Sequence, residues 1–252
     1  MGIYLNPGNE GFKSAVRSKI YIDKTGLLEY TNSVLDTEQR YICVSRPRRF
    51  GKSIAAEMLV AYYDKCCDSK ELFGRLKIAK CKDFAKHLNQ YDVLHIDVNY
   101  FRGQSATGME TVDNIQRLVI EELRENYPEG VSDADCKLPV VLTKINQKYG
   151  VKFVVIIDEW DTVFREAKQN KKLQDEYISL LRALFKGESS KRFIALAYMT
   201  GILPIKKYGI ESALNNFDEY TMISPKMLAK YYGFTSDEVQ RLCEQYGMEF
   251  DK

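Results

Sequence analysis

Residues 45–53 read Ser45-Arg46-Pro47-Arg48-Arg49-Phe50-Gly51-Lys52-Ser53. They follow an apolar run, Tyr41-Ile42-Cys43-Val44, and precede a segment in which Ile54, Ala55, Met58, Leu59 and Tyr62 recur at helical spacing. The order is strand, basic turn, helix, and the turn ends in Gly-Lys-Ser, the last part of the phosphate-loop pattern G-x-x-x-x-G-K-[ST]. Such a turn binds phosphate because successive backbone N–H groups at a helix N-terminus curl around phosphate oxygens. A side chain at position 51 would obstruct that approach. Lys52 is expected to reach the β- and γ-phosphates of a nucleotide, and the Ser53 hydroxyl to ligate magnesium. Arg48, Arg49, Phe50, Gly51 and Ile54 complete the expected nucleotide-binding set. One position departs from the pattern: the leading glycine should fall at 46, where the sequence has Arg46 followed by a proline. Without its context the same stretch is a solvated basic turn that caps a helix.

The context lies downstream, in Val154-Val155-Ile156-Ile157-Asp158-Glu159, an apolar strand ending in two carboxylates, the pattern of a Walker B motif. Asp158 at the strand tip is expected to hold magnesium near Ser53, and Glu159 to polarise an attacking water as general base. Alone, this is equally a buried strand ending in a charged turn. The two motifs support each other because each stands at the C-terminal end of a strand, where open α/β sheets bind ligands. Apolar runs at 93–98 and 193–199, with a weaker one at 220–223, supply further strands. They are near-continuous rather than alternating, as when helices cover both faces of a sheet. The expected fold is an α/β P-loop NTPase three-layer sandwich with a largely parallel five-stranded sheet. The strand at 93–98 falls between the two motifs in sequence, which matches the additional-strand class. The run ending at Met199 continues into Thr200-Gly201. Thr200 is either a sensor that contacts the γ-phosphate or attacking water, or a turn residue at a strand end. Arg192 is either an arginine finger for a neighbouring subunit or part of a solvated turn with Lys191.

Between the strands, Val112, Ile115, Leu118, Val119 and Leu123 form one helical face, and Leu173, Tyr177, Leu180, Leu181, Leu184 and Phe185 another, with Gly187 as its cap. Ser224-Pro225 opens a helix that Gly233 closes, and Thr235 with Glu238 makes a capping box for a last helix. Residues 1–223 are expected to form the nucleotide-binding domain, and 224–252 a helical segment that begins a lid or a linker to a missing C-terminal domain. The 252-residue composition, 45% hydrophobic and 29% charged, excludes disordered and coiled-coil classes. The net charge of only +2 removes any global field toward nucleic acid or a membrane surface. It masks a basic loop opposed by the acidic cluster of Asp158, Glu159 and Asp161, a pairing suited to a magnesium-phosphate ligand. Six cysteines without a C-x-x-C pair and two histidines fit neither a disulfide framework nor a zinc site. With no run of 18 apolar residues and no signal-like start, a cytoplasmic location and no membrane partner are expected.

Tyr21-Ile22-Asp23-Lys24-Thr25, the 46–53 loop, Ile157-Asp158-Glu159-Trp160-Asp161, and Thr200-Gly201-Ile202-Leu203-Pro204 with Leu214-Asn215-Asn216 together give a resemblance to a family. The chain resembles the AAA-ATPase-like family of bacterial proteins over nearly its whole length. In that family the ATPase domain often precedes a PD-(D/E)xK nuclease-type domain, which is expected to be missing here because the residues after Tyr246 leave no room for its strands and carboxylates. The resemblance implies that arginine at position 46 is the family's own variant of the loop. It supports ATP binding more firmly than turnover, and gives Asp23, Lys24 and Thr25 a place in the nucleotide-pocket wall and Asn215 and Asn216 an inter-element contact.

Three readings of function follow. In the first, the protein is an ATPase using magnesium, with Gly51 and its neighbouring amides cradling phosphates, Lys52 neutralising them, Ser53 and Asp158 organising the metal, and Glu159 and Thr200 acting on water. Its partner is a protein, a nuclease-type domain or a second copy of the chain. In the second it is a nucleotide-operated switch with negligible hydrolysis. In the third, Arg46, Arg48, Arg49 and Lys52 contact nucleic acid. The third is disfavoured because a phosphate loop uses the same charges for ATP.

Overall fold

The computed structural model describes residues 1–104, 110–208 and 211–250. Five strands, β1 (Tyr41–Ser45), β2 (Asp92–Asp97), β3 (Phe153–Asp158), β4 (Ile194–Gly201) and β5 (Asp218–Tyr220), form one sheet in the order β2-β3-β4-β1-β5. Every pairing is parallel. The strand inserted between β1 and β3 in space is β4, while β2 takes the far edge. The additional-strand arrangement therefore holds, with the run at 194–201 as the insertion. The outer side of β2 is covered by the chain's beginning: Asn6 N donates to Val93 O at 2.8 Å and His95 N to Tyr4 O at 2.8 Å. An edge blunted in this way offers no template for another strand.

Side chains on the two sheet faces enter two separate cores. Ile42, Val44, Val154, Ile156, Leu196 and Tyr198 join α1 (Glu10–Val16), α2 (Gly26–Val34) and α3 (Lys52–Tyr63). Cys43, Phe153, Val155, Ile157, Ala197 and Met199 point the other way. They meet α4 (Val98–Gln104), α5 (Thr111–Asn126), α6 (Leu138–Tyr149) and α7 (Lys171–Phe185). Alternation along each strand with burial on both faces is why the strand runs are continuously apolar. No helix among the described residues is long and apolar enough to cross a membrane.

Three boundaries differ from the sequence expectation, each for a local reason. Val98 opens α4 instead of ending β2, because the Asp97 carboxylate accepts the N–H groups of Asn99 (2.9 Å) and Tyr100 (3.3 Å) and starts a helix. The weak strand at 220–223 is β5 at Asp218–Tyr220, since Thr221 closes a turn with Ser224. Residues Lys226–Tyr231 form a 3₁₀ rather than an α-helix. The capping box forms as read: Thr235 Oγ1 accepts from Glu238 N at 3.3 Å and Glu238 Oε2 from Thr235 N at 2.8 Å, opening α8 (Ser236–Tyr246).

Candidate functional site

The C-terminal ends of β1, β3 and β4 meet at one edge of the sheet, and the loop after β1 is fastened there by Arg46 N donating to Gly201 O at 3.1 Å. Arg49 (φ +69°) and Gly51 (φ +77°) both lie in the left-handed region. Such residues interleaved with ordinary ones turn backbone N–H groups toward a common centre, an anion-binding nest. A Cβ at Gly51 would meet no protein atom within 4 Å. Glycine is needed there for its backbone conformation and for the open space above it. Lys52, the first residue of α3, is 5% exposed; its ammonium donates to Pro47 O at 3.2 Å and stands 4.0 Å from Glu159 Oε1. A buried cation held by one carbonyl and one distant carboxylate is incompletely neutralised, so an anion entering the loop gains a strong partner.

At the end of β3, Asp158 Oδ1 accepts the Thr200 hydroxyl and, at 3.0 Å, the N–H of Glu159. Thr200 is fully buried and lies behind Asp158 rather than on a wall of the cavity. Glu159 has φ +53° and its side chain joins Arg165 through Oε2. Burial pushes the Glu159 carboxyl above the usual carboxylate range, while Arg165 and Lys52 oppose that shift. Asp161 does not join the acidic cluster expected from the sequence. It is fully buried, accepts the N–H groups of Ile202 (3.2 Å) and Leu203 (3.0 Å), and pairs with Arg165 Nε at 3.2 Å. Its charge serves to fix the chain after β4.

Trp160, also fully buried, crosses the same junction, and a Cβ at Gly201 would come within 2.5 Å of its indole nitrogen. Gly201→Ala is expected to cost about 1–3 kcal/mol of stability through overpacking at a site that neither backbone can leave. Urea denaturation checks this, and an unchanged midpoint would show that the junction yields.

Below the loop lies a cavity of about 650 Å³. Its lining includes every predicted nucleotide-binding residue: Arg48, Arg49, Phe50, Gly51, Lys52, Ser53 and Ile54, together with Asp158 and Glu159. Lys24, which the resemblance placed in the pocket wall, lines it too, and residues that sequence reasoning did not place there supply most of the rest. Asp97 comes from the end of β2 and Asn99 from the start of α4, and Phe12, Ile20, Tyr21, Ile22, Met58, Tyr231 and Phe234 give an apolar and aromatic wall. The strand-end position of Asp97, matched to Asp158 in the sheet register, was the available signal. Burial and then the nearby Asp158 charge push the Asp97 carboxyl upward.

A family model described as a predicted AAA-ATPase, the AAA-ATPase-like family, matches residues 10–211. The chain belongs to the AAA-ATPase-like family. A protein of Azotobacter chroococcum mcd 1, described as an uncharacterized protein in the vnfD 5' region, is 23% identical over 222 residues. That match takes in 87% of this chain and 40% of the relative, so the chain spans well under half of the relative's length. Membership is consistent with a P-loop ATPase domain.

Within this AAA-ATPase-like fold, Arg46 has a definite place. Its side chain is buried and turned away from the cavity, donating to Ser45 O (3.1 Å) and Tyr220 O (2.9 Å), with the guanidinium 5.6 Å from the centre of the Tyr232 ring. Burial pushes its pKa down. Four residues later, Phe50 O accepts from Gly233 N at 3.1 Å. The arginine and phenylalanine of the loop thus hold the C-terminal segment against the phosphate-binding turn. This position also withdraws Arg46 from any surface contact with nucleic acid.

Lys24 lines the cavity and reaches the same segment, pairing with Glu238 at 2.6 Å. Asp23 and Thr25, expected in the same wall, do not line the cavity: Asp23 accepts from Thr25 and Lys77, and Thr25 Oγ1 from Ile78 N, so both are spent on fastening the chain behind Lys24. Asn216 Nδ2 donates to Phe185 O at 2.8 Å, satisfying the end of α7. Arg192 is exposed just before β4, at the sheet end opposite the cavity.

Proposed function

We propose that the protein binds ATP with magnesium in this cavity and hydrolyses it to ADP and phosphate, coupling the cycle to a partner or to a change in its own C-terminal segment. The observation that carries the reading is that one cavity gathers Gly51, Lys52 and Ser53 from the first motif and Asp158 and Glu159 from the second. The loop amides and Lys52 bind the phosphates. Glu159 accepts a proton from the attacking water, and Thr200 acts through Asp158, whose carboxylate it orients.

The donor set suits magnesium. Ser53 and Asp158 are hard oxygen ligands on the cavity lining, and among the described residues no group of three His, Cys, Asp or Glu side chains forms a cage for a metal. Magnesium is commonly held by one or two protein oxygens with the remainder from water and phosphate. Once bound, it would neutralise charge on the phosphate oxygens. The apolar wall of Ile20, Tyr21, Ile22, Tyr231 and Phe234 offers a surface for a purine base, and adenine follows from the family and from the lack of an N-K-x-D guanine-reading stretch.

The contacts of Arg46, Phe50 and Lys24 with the C-terminal segment favour a second reading, a nucleotide-operated switch. Phosphate release at saturating ATP and magnesium separates the two. Steady release with equal ADP supports hydrolysis. Proven occupancy without release leaves the switch.

A further inference from the structure

Arg165 is a nearly buried charge to which the sequence motifs give no role. It stands on the short helix Thr162–Glu166, its side chain 14% exposed, and three groups hold it. Asp161 Oδ2 lies 3.2 Å from Nε, Thr162 Oγ1 accepts from Nη2 at 2.8 Å, and Glu159 Oε2 accepts from the same Nη2. The guanidinium is therefore fixed from behind before it touches Glu159.

The two oxygens of Glu159 have different surroundings. Oε2 is taken by Arg165, while Oε1 lies 4.0 Å from the Lys52 ammonium, the group that marks where phosphate binds. An unanchored glutamate loses side-chain freedom of up to about 2 kcal/mol when it is held in one orientation. Anchoring one oxygen in advance removes much of that cost for the other. The remaining neighbours, Asp158 and Asp161, carry the same charge as Glu159 and do not compete for its oxygens.

We propose that Arg165 is a positioning residue for the hydrolytic step: it holds Oε2 of Glu159 so that Oε1 faces the water at the phosphate site. The inference rests on the reading of Glu159 as general base. Arg165→Ala should lower kcat roughly 10- to 100-fold, the scale of a misplaced catalytic group. KM for ATP, and ADP affinity measured by titration, should stay within about threefold, because ground-state binding does not use this contact. Arg165→Lys, which can still donate to one oxygen, should recover part of kcat. In a Glu159→Gln background, Arg165→Ala should change kcat no further.

A residue that only supports the fold gives another pattern: kcat, ADP affinity and melting temperature fall together and lysine restores none of them. That result overturns the proposal, as does full kcat in a folded Arg165→Ala protein. If the alanine variant lacks a native circular-dichroism spectrum, Arg165→Met, which keeps the packing stem, takes its place. Failure of the underlying reading looks different. Glu159→Gln would then turn over like wild type, whatever Arg165 does.

Discussion

Lys52→Ala should lose ATP binding by a factor of about 100 or more, because a charge-assisted hydrogen bond to phosphate contributes up to about 3 kcal/mol where solvent is excluded. Lys52 is 5% exposed and its ammonium has, among the described residues, only Pro47 O at 3.2 Å and Glu159 at 4.0 Å as partners, so phosphate oxygens would complete a shell that these residues leave open. The fold itself should persist, since Lys52 lies at the first position of α3 and its aliphatic stem makes a small part of the core. Titration of ATP into matched wild-type and variant protein, both with native circular dichroism, measures the effect. Equal affinity would remove the phosphate-loop assignment.

Glu159→Gln should leave ATP affinity near wild type and lower phosphate release by roughly 10²–10⁴-fold, the range for loss of a positioned general base. Glutamine keeps the shape and can accept from Arg165 through its carbonyl oxygen, so the geometry around Asp158 and Trp160 has little reason to move. It cannot take a proton from water. Affinity unchanged with turnover lost marks a group used in the transition state only. Turnover equal to wild type would mean that the base lies elsewhere, and loss of affinity would mean that Glu159 serves to bind.

Most of the fold was legible because it depends on local signals. The runs 41–44, 93–98, 153–157 and 193–199 are apolar on both faces and end in turns, and they became β1 to β4 within one or two residues. The cavity was legible for the same reason, since the loop after β1 that leads to Ser53, and Asp158 and Glu159 at the end of β3, leave strand ends that a parallel sheet must bring together. What escaped reading depends on contacts distant in sequence. Asp161 looked like one more acid beside Asp158, and only the fold shows two backbone N–H groups from β4's exit and Arg165 consuming its charge. Arg46 departs from the loop pattern, and the resemblance makes it a family variant without giving its side chain a role; Tyr220 and Tyr232, more than 170 residues away, give it partners. Tyr231 and Phe234 carry no motif, and the 3₁₀ turn that ends at Tyr231 has the sequence signals of a helix.

The most direct measurement is calorimetric titration of ATP into the wild-type protein with and without magnesium. Saturable one-to-one binding, weakened when magnesium is removed and displaced by ADP, is the expected result. No binding at millimolar ATP in either condition would contradict a nucleotide site between the Gly51–Ser53 turn and Asp158.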